Sequence, residues 1–298
     1  MKRACFLFLV GYALSCGLAF ASSGHYVNGV EGIKAATLPP EGFYVREYSV
    51  YYNAPEYRDK NNKIVNNDFK LNVYCQVTRL IYSSNIAVLG GNLLFDAVIP
   101  FQYTDNSFKT GQSSPRSSED MFGLGDILIE PLLLSWHGDR YDAAIGAGLY
   151  IPTGYFSKNH PASPGKGFYT MMFTAGGTVY FDQERTWSAS ILSRYEVNTQ
   201  QNETNITPGN DFHFEWGVGK TFNKTMTVGA AGYCSWQTTD DSGSGATDDR
   251  TTIYGIGPEV AFDIPAYTTS VSLRFIKEFS GQNSSQGSIG TLTLTKRF

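Results

Sequence analysis

Apolar and polar residues alternate one by one along almost the whole chain beyond residue 42. In the run 69–78, Phe69, Leu71, Val73, Cys75 and Val77 share one parity, and Lys70, Asn72, Tyr74, Gln76 and Thr78 share the other. Period two marks a strand with two unlike faces. Phe212, Phe214, Trp216 and Val218 oppose His213, Glu215, Gly217 and Gly219, and Leu292, Leu294 and Phe298 oppose Thr291, Thr293, Thr295 and Arg297. Glycine recurs inside these runs, which disfavours helix. Twelve strands are predicted, at about 43–52, 69–82, 86–103, 123–136, 141–152, 169–181, 186–197, 211–222, 226–238, 251–262, 267–279 and 288–298.

The connections between them sort by length. Segments 53–67, 104–121, 153–168, 198–210, 239–250 and 280–287 are long and polar; those at 83–85, 137–140, 182–185, 223–225 and 263–266 are short. Long and short alternate, as in a transmembrane barrel with short periplasmic turns and longer outer loops. No stretch beyond Ser22 reaches the ~18 apolar residues of a spanning helix. A closed barrel is the other way to satisfy every backbone group in lipid. The expectation is therefore an all-β, antiparallel, up-and-down transmembrane barrel of about twelve strands, with both termini periplasmic. Composition agrees: 17 % charged residues, 14 % aromatics and a mean hydropathy of −0.22 suit a chain with one wet face and one greasy face. The net charge of −4 argues against a nucleic-acid partner.

Lys2 and Arg3 precede an apolar run from Ala4 to Phe20, and Ala19-Phe20-Ala21 offers a cleavage site. This predicts a secretory signal peptide over 1–21. A segment over 22–41 follows, lying in the periplasm or folding into the barrel as a partial plug, and the barrel occupies 42–298. Cys75 and Cys234 then read as small apolar residues, with a bridge between them as the alternative.

Parity also supplies a lumen list. Arg or Lys at mid-membrane on the lipid face costs about 2–4 kcal/mol, so the alternating charges should point inward. Asn92, Asp96, Asp126, Glu130, Asp142, Tyr150, Arg194, Glu196, His213, Glu215, Glu259, Arg274, Glu278 and Arg297 are placed there, beside Lys70, Asn72, Tyr74 and Gln76. Arg46 and Glu47 lie on opposite faces of the first strand and leave it ambiguous. Arg79 falls on the apolar parity and is expected to snorkel at an interface. The inward charges either pair across the lumen or line a substrate path. Inward Gly146, Gly148, Gly176, Gly217, Gly219, Gly229, Gly255 and Gly257 either open a cavity or relieve curvature. Aromatics including Tyr44, Tyr48, Tyr52, Phe101, Tyr103, Tyr141, Phe181, Trp187, Phe262 and Phe279 fall near strand ends, as two interfacial girdles would require.

The chain ends Leu294-Thr295-Lys296-Arg297-Phe298. A terminal Phe after an alternating strand resembles the signal read by the outer-membrane barrel-assembly machinery. Three further stretches carry a family resemblance: Gly24 to Lys34 with Pro39-Pro40-Glu41-Gly42; Gly123-Leu124-Gly125-Asp126; and Gly146 to Gly154. Together they resemble the outer-membrane barrel family named for the meta-pathway of phenol degradation, whose members are regarded as transporters. The resemblance implies outer-membrane lipid as surroundings and a small, aromatic or apolar molecule as substrate.

Cofactor and catalytic signals are weak. Asp240-Asp241 and Asp248-Asp249 flank Ser242-Gly243-Ser244-Gly245 as a solvated loop without EF-hand spacing. Gly255-Ile256-Gly257 runs into Pro258 inside a strand and forms no phosphate loop. No cofactor or metal is expected. His213 and Glu215 share a face, but the sequence places no nucleophile beside them. The leading expectation is a passive outer-membrane channel. A closed structural or surface-interaction barrel is the alternative, and a lipid-modifying enzyme the third.

Overall fold

The computed structural model describes residues 24–65, 68–109 and 115–298, so the predicted signal peptide lies outside the described residues. The strands are β1 (Gly42–Arg58), β2 (Lys70–Val88), β3 (Gly91–Lys109), β4 (Arg116–Leu124), β5 (Ile127–His137), β6 (Tyr141–Ile151), β7 (Thr170–Tyr180), β8 (Trp187–Asn198), β9 (Ile206–Thr207), β10 (Asp211–Phe222), β11 (Met226–Gln237), β12 (Ser242–Gly243), β13 (Thr252–Ile264), β14 (Thr269–Gln282) and β15 (Ser284–Arg297). The two-residue strands β9 and β12 pair with each other in the loops. The rest form one antiparallel sheet that closes on itself. β1 zips to β15 from Tyr44↔Arg297 to Arg58↔Ser284, so the cylinder has no free terminal edge.

β4 and β5 are two pieces of one wall strand. β4 pairs with the 101–109 half of β3, and β5 pairs with its 92–98 half. The wall therefore counts twelve strands, as the alternation predicts. The interruption falls at Gly125-Asp126. β6 pairs with β5 but stops at Ile151, opposite Ile127. Among the described residues, the second edge of β4 consequently meets no strand. The loop 152–169 lies against it instead. Ala162 N donates to Glu119 Oε2 (3.1 Å), His160 Nδ1 sits 2.5 Å from Glu119 Oε1, and Ile127 N donates to Thr153 Oγ1 (3.1 Å).

Three connections differ from their sequence reading. Ser83-Ser84-Asn85 is strand; the reversal comes at Leu89-Gly90, both at positive φ (51° and 77°), a two-residue turn that follows the twist of its strands. The predicted long loop 280–287 is a tight reversal at Asn283 (φ 47°). β3 and β4 run far into the predicted loop 104–121. The cause is common to the last two: the hydrogen-bond ladder continues past the point where apolar alternation stops.

The outside between the two ends is apolar. Phe43, Tyr82, Phe95, Tyr141, Phe181, Trp187, Phe262 and Tyr267 are exposed toward the short-turn end, and Tyr51, Tyr74, Tyr103, Tyr169 and Phe279 toward the long-loop end. These are two aromatic belts. Tyr44, Tyr48 and Tyr52 do not belong to them; all three point inward and are buried. The core lies inside the cylinder.

Candidate transport lumen and its plug

Residues 24–41 run inside the barrel without a strand ladder of their own. Buried backbone N–H groups require acceptors, and wall carboxylates supply them. Glu196 Oε1 accepts from His25 N and Tyr26 N, each at 3.1 Å. Glu215 Oε1 accepts from Gly29 N (2.8 Å) and Glu31 N (2.9 Å). Its Oε2 accepts from Tyr26 OH (2.6 Å) and Arg194 Nη1 (2.9 Å). Glu259 Oε2 accepts from Ile33 N (2.8 Å) and Arg274 Nε (2.9 Å), and Arg274 Nη1 donates to Gly29 O (3.0 Å). Such charge-assisted bonds are roughly twice as strong as neutral ones.

Side chains of the segment add further ties. His25 Nε2 lies 2.8 Å from Asp126 Oδ2 and its Nδ1 lies 2.7 Å from Thr170 Oγ1. The imidazole stacks on Tyr150 with centroids 4.8 Å apart. Burial lowers its pKa, against the opposing pull of Asp126. Asp126 in turn accepts from Gly154 N (2.9 Å) and Lys166 N (2.7 Å), so one carboxylate joins the plug, the strand break and the loop beside it. Tyr26 stacks on His213 at 4.7 Å, and the Arg194 guanidinium sits 3.9 Å over its ring.

Glu31 is the plug's charged centre. It accepts from Tyr48 OH at 2.7 Å and pairs with Arg79 at 3.2 Å and Arg46 at 3.5 Å. Burial pushes its carboxyl up, but Arg46, Arg79 and Arg194 together hold it below the ordinary value. Arg79 also bonds Asp96 and lies 3.2 Å from Glu130. One arginine thus answers three carboxylates.

Ile33 fits into a glycine-lined seat. A Cβ on Gly217 would lie 2.6 Å from Ile33 Cα, and Cβ atoms on Gly219 and Gly229 would meet the Ile33 side chain at 2.9 Å. These inward glycines make room for the plug. Gly217→Val is therefore expected to unseat the segment while the wall stays folded. Trypsin should cleave at Lys34 at least about tenfold faster, the ratio set by ~1.4 kcal/mol of lost docking. Unchanged cleavage would contradict the seat.

Most parity-listed residues lie inside. Asp96, Asp126, Glu130, Asp142, Tyr150, Arg194, Glu196, His213, Glu215, Glu259, Arg274 and Glu278 are all buried. Glu278 accepts from Tyr52 OH (2.9 Å), Tyr233 OH and Gly287 N (2.6 Å). Asn92 is half-buried near the Leu89-Gly90 turn. Arg297 is exposed at the rim, where it donates to Glu41 O at 2.8 Å. Phe298 N donates to Phe43 O at 2.9 Å, and their rings lie 6.0 Å apart.

Lys70, Asn72, Tyr74 and Gln76 are a correction: they face outward, with Tyr74 47 % exposed. Leu71, Val73 and Cys75 turn inward instead, because here the lumen is filled by an apolar cluster with Tyr52, Tyr233, Ile253, Ile276 and Ile289. Arg79 shares that inward parity and lies in the lumen, not at an interface. The plug residues His25, Tyr26 and Glu31 and the wall residues Arg46 and Arg79 escaped the parity list. The signal for Arg79 was its solitude, a charge in the middle of an apolar face.

Parity also missed a relay at the short-turn end. Ser135 Oγ lies 3.4 Å from His137 Nε2, and His137 Nδ1 lies 3.0 Å from Asp142 Oδ1. The order is that of a nucleophile, base and orienting acid. Ser135 is only 1 % exposed, however, and Asp142 is also bound to Arg185 (2.8 Å) and Tyr180 OH (2.6 Å). At the alternative candidate, neither ring nitrogen of His213 has a hydrogen-bond partner among the described residues, and Glu196 Oε2 lies 3.9 Å from its Nε2.

Between the plug and the wall lies a cavity of about 110 Å³. Val27 and Val30 line it from the plug; Val77, Val98, Pro100, Leu128 and Met172 line it from the wall. Arg79, Glu31, Glu130, Gln102, Arg194 and His25 add polar groups, and Gly125, Asp126, Pro164 and Lys166 bring it to the strand break.

A family model described as "Putative MetA-pathway of phenol degradation" matches residues 55–294. That range holds the Gly123–Asp126 and Gly146–Gly154 stretches but begins beyond the plug. No curated protein matches the sequence. Among solved structures, the chain is similar to an outer membrane channel from Pseudomonas putida F1, with a TM-score of 0.77 and 13 % identity over 92 % of this chain and 100 % of that one. It is less similar to the β-domain of the Bordetella autotransporter BrkA, with a TM-score of 0.48 and 11 % identity over 87 % of this chain and 100 % of that one. The first of these shares the fold.

Proposed function

This chain belongs to the family described as "Putative MetA-pathway of phenol degradation", and on that premise we propose that it is a passive outer-membrane channel for small, apolar or aromatic molecules. One observation carries the reading. The cavity between plug and wall exposes mainly apolar surface, with Arg79, Glu31 and Glu130 among its polar groups, and the Gly125-Asp126 interruption belongs to its lining. Its volume of about 110 Å³ is of the order of the ~150 Å³ apolar void that admits benzene. A phenol-like solute would set its ring against Val77, Val98 and Leu128 and its hydroxyl toward Arg79 and Glu130. The loop 152–169 closes the wall there through side chains and single hydrogen bonds, weaker than a continuous ladder.

The protein in this reading is not an enzyme. It is exported by its 1–21 leader and sits with both chain ends in the periplasm. The assembly machinery reads the Phe298 terminus. Flux follows the solute gradient.

Vesicles carrying the purified protein should take up phenol-like solutes faster than protein-free vesicles of the same lipid. Replacing Val98 and Leu128 together by Trp should remove the difference by filling the cavity. Uptake at the lipid-only rate with the native protein would exclude the channel and leave the closed, structural barrel.

A further inference from the structure

The plug runs the length of the barrel. Thr37 Oγ1 donates to Asp142 Oδ2 at 2.9 Å, next to Tyr180 and the short turn 182–185. Gly24 lies at the other end, against Glu196 near the close of β8 and Asp211 at the start of β10, both beside the long loop 199–210. A Cβ on Gly24 would collide with Glu196 Oε2 and lie 3.0 Å from Asp211 Oδ2, and Gly24 O accepts from Lys166 Nζ. The start of β1 belongs to the short-turn end, opposite Ser83. The segment before it carries the amino end of the chain up the lumen to the long-loop end.

The charges around Gly24 do not balance. Glu196, Asp211 and Asp126 are buried, and all three act on the single ammonium of Lys166. His25 is bonded to Asp126, and Arg194 is bonded to Glu215. Glu196 and Asp211 are left with Lys166 to share. Glu196 spends its Oε1 on the amides of His25 and Tyr26. Its Oε2 has no hydrogen-bond partner among the described residues, since His213 Nε2 is 3.9 Å away. A buried carboxylate oxygen calls for a donor, and here for a charged one.

We propose that this donor is the chain's own α-ammonium, created when the leader is cut before Ser22; the proposal rests on the export reading above. Ser22 and Ser23 lie outside the described residues. Two residues span at most about 7 Å, so an ammonium on Ser22 stays close to the two carboxylates that Gly24 touches. Like a lysine head it is compact and carries three donors, which suits a corner too tight for a side chain. Before cleavage the same position holds a neutral amide. Removal of the leader therefore supplies the cation that fastens the plug at its amino end, and the plug seats firmly only in the processed chain.

The intact mass of the exported protein should show a chain that starts at Ser22. 2-Pyridinecarboxaldehyde, which condenses with a free α-amine, should then react with the folded protein at least about tenfold slower than with the urea-unfolded chain, because access waits on local opening. Glu196→Gln keeps an oxygen for the two amides and removes the charge; it should recover most of that factor while the heat-modifiable gel shift of the folded barrel persists. Gly-Ser-Gly-Ser inserted after Ala21 moves the amine about 14 Å further along the chain and should react at the unfolded rate. A protein that keeps its leader, or is cut elsewhere, overturns the proposal together with the export reading. A chain cut before Ser22 whose amine reacts as fast folded as unfolded, or whose protection survives both variants, overturns the ammonium site alone.

Discussion

Excision of residues 24–40 is expected to raise single-channel conductance at least about tenfold, because twelve strands enclose more space than side chains alone can fill. The native lumen is occupied by a segment held through Glu196, Glu215 and Glu259, and none of those bonds belongs to the wall's own ladder. The segment takes no part in the β1–β15 seam, whose register begins at Tyr44. The freed carboxylates and arginines would take up water and leave a charged aqueous path. Planar-bilayer recordings of the refolded variant check this. A folded variant conducting at the native level would mean that the wall side chains themselves seal the barrel.

Replacement of Arg79 by Met is expected to cost about 3–5 kcal/mol, the loss that follows when one partner of a buried ion pair is removed. Glu31, Asp96 and Glu130 all contact this guanidinium. Its removal strands several carboxylates in a water-poor interior. Urea unfolding in lipid vesicles should show the loss. Adding Asp96→Asn to Arg79→Met should return part of it, since fewer charges then need an answer, and the two changes will not add. A variant as stable as the native protein would show that water already solvates this cluster.

The wall was legible from sequence because period two is fixed by the geometry of a strand and by lipid on one side of it. Strand number, closure and most of the inward charges follow from that alone. What parity cannot tell is which face of a given strand is wet. On β2 the polar set Lys70, Asn72, Tyr74 and Gln76 is outside and Leu71, Val73 and Cys75 are inside, because the plug and the facing strands make that part of the lumen apolar. The same gap hid Arg46 and Arg79. The plug's bonds were illegible for another reason: Glu215 reaches Gly29 across 186 residues, and no local spacing encodes such a contact.

Those separations bear on how the molecule is made. The plug precedes the whole wall in the chain, yet its acceptors Glu196, Glu215 and Glu259 come late, and His25, Gly29 and Ile33 bond partners 171, 186 and 226 positions away. The seam that encloses it needs β15, which follows every other described strand. Contacts so distant along the chain are slow to form. The inner segment must therefore be held near the opening until the final strand arrives, and a barrel sealed too early would be complete in its wall and empty at its centre.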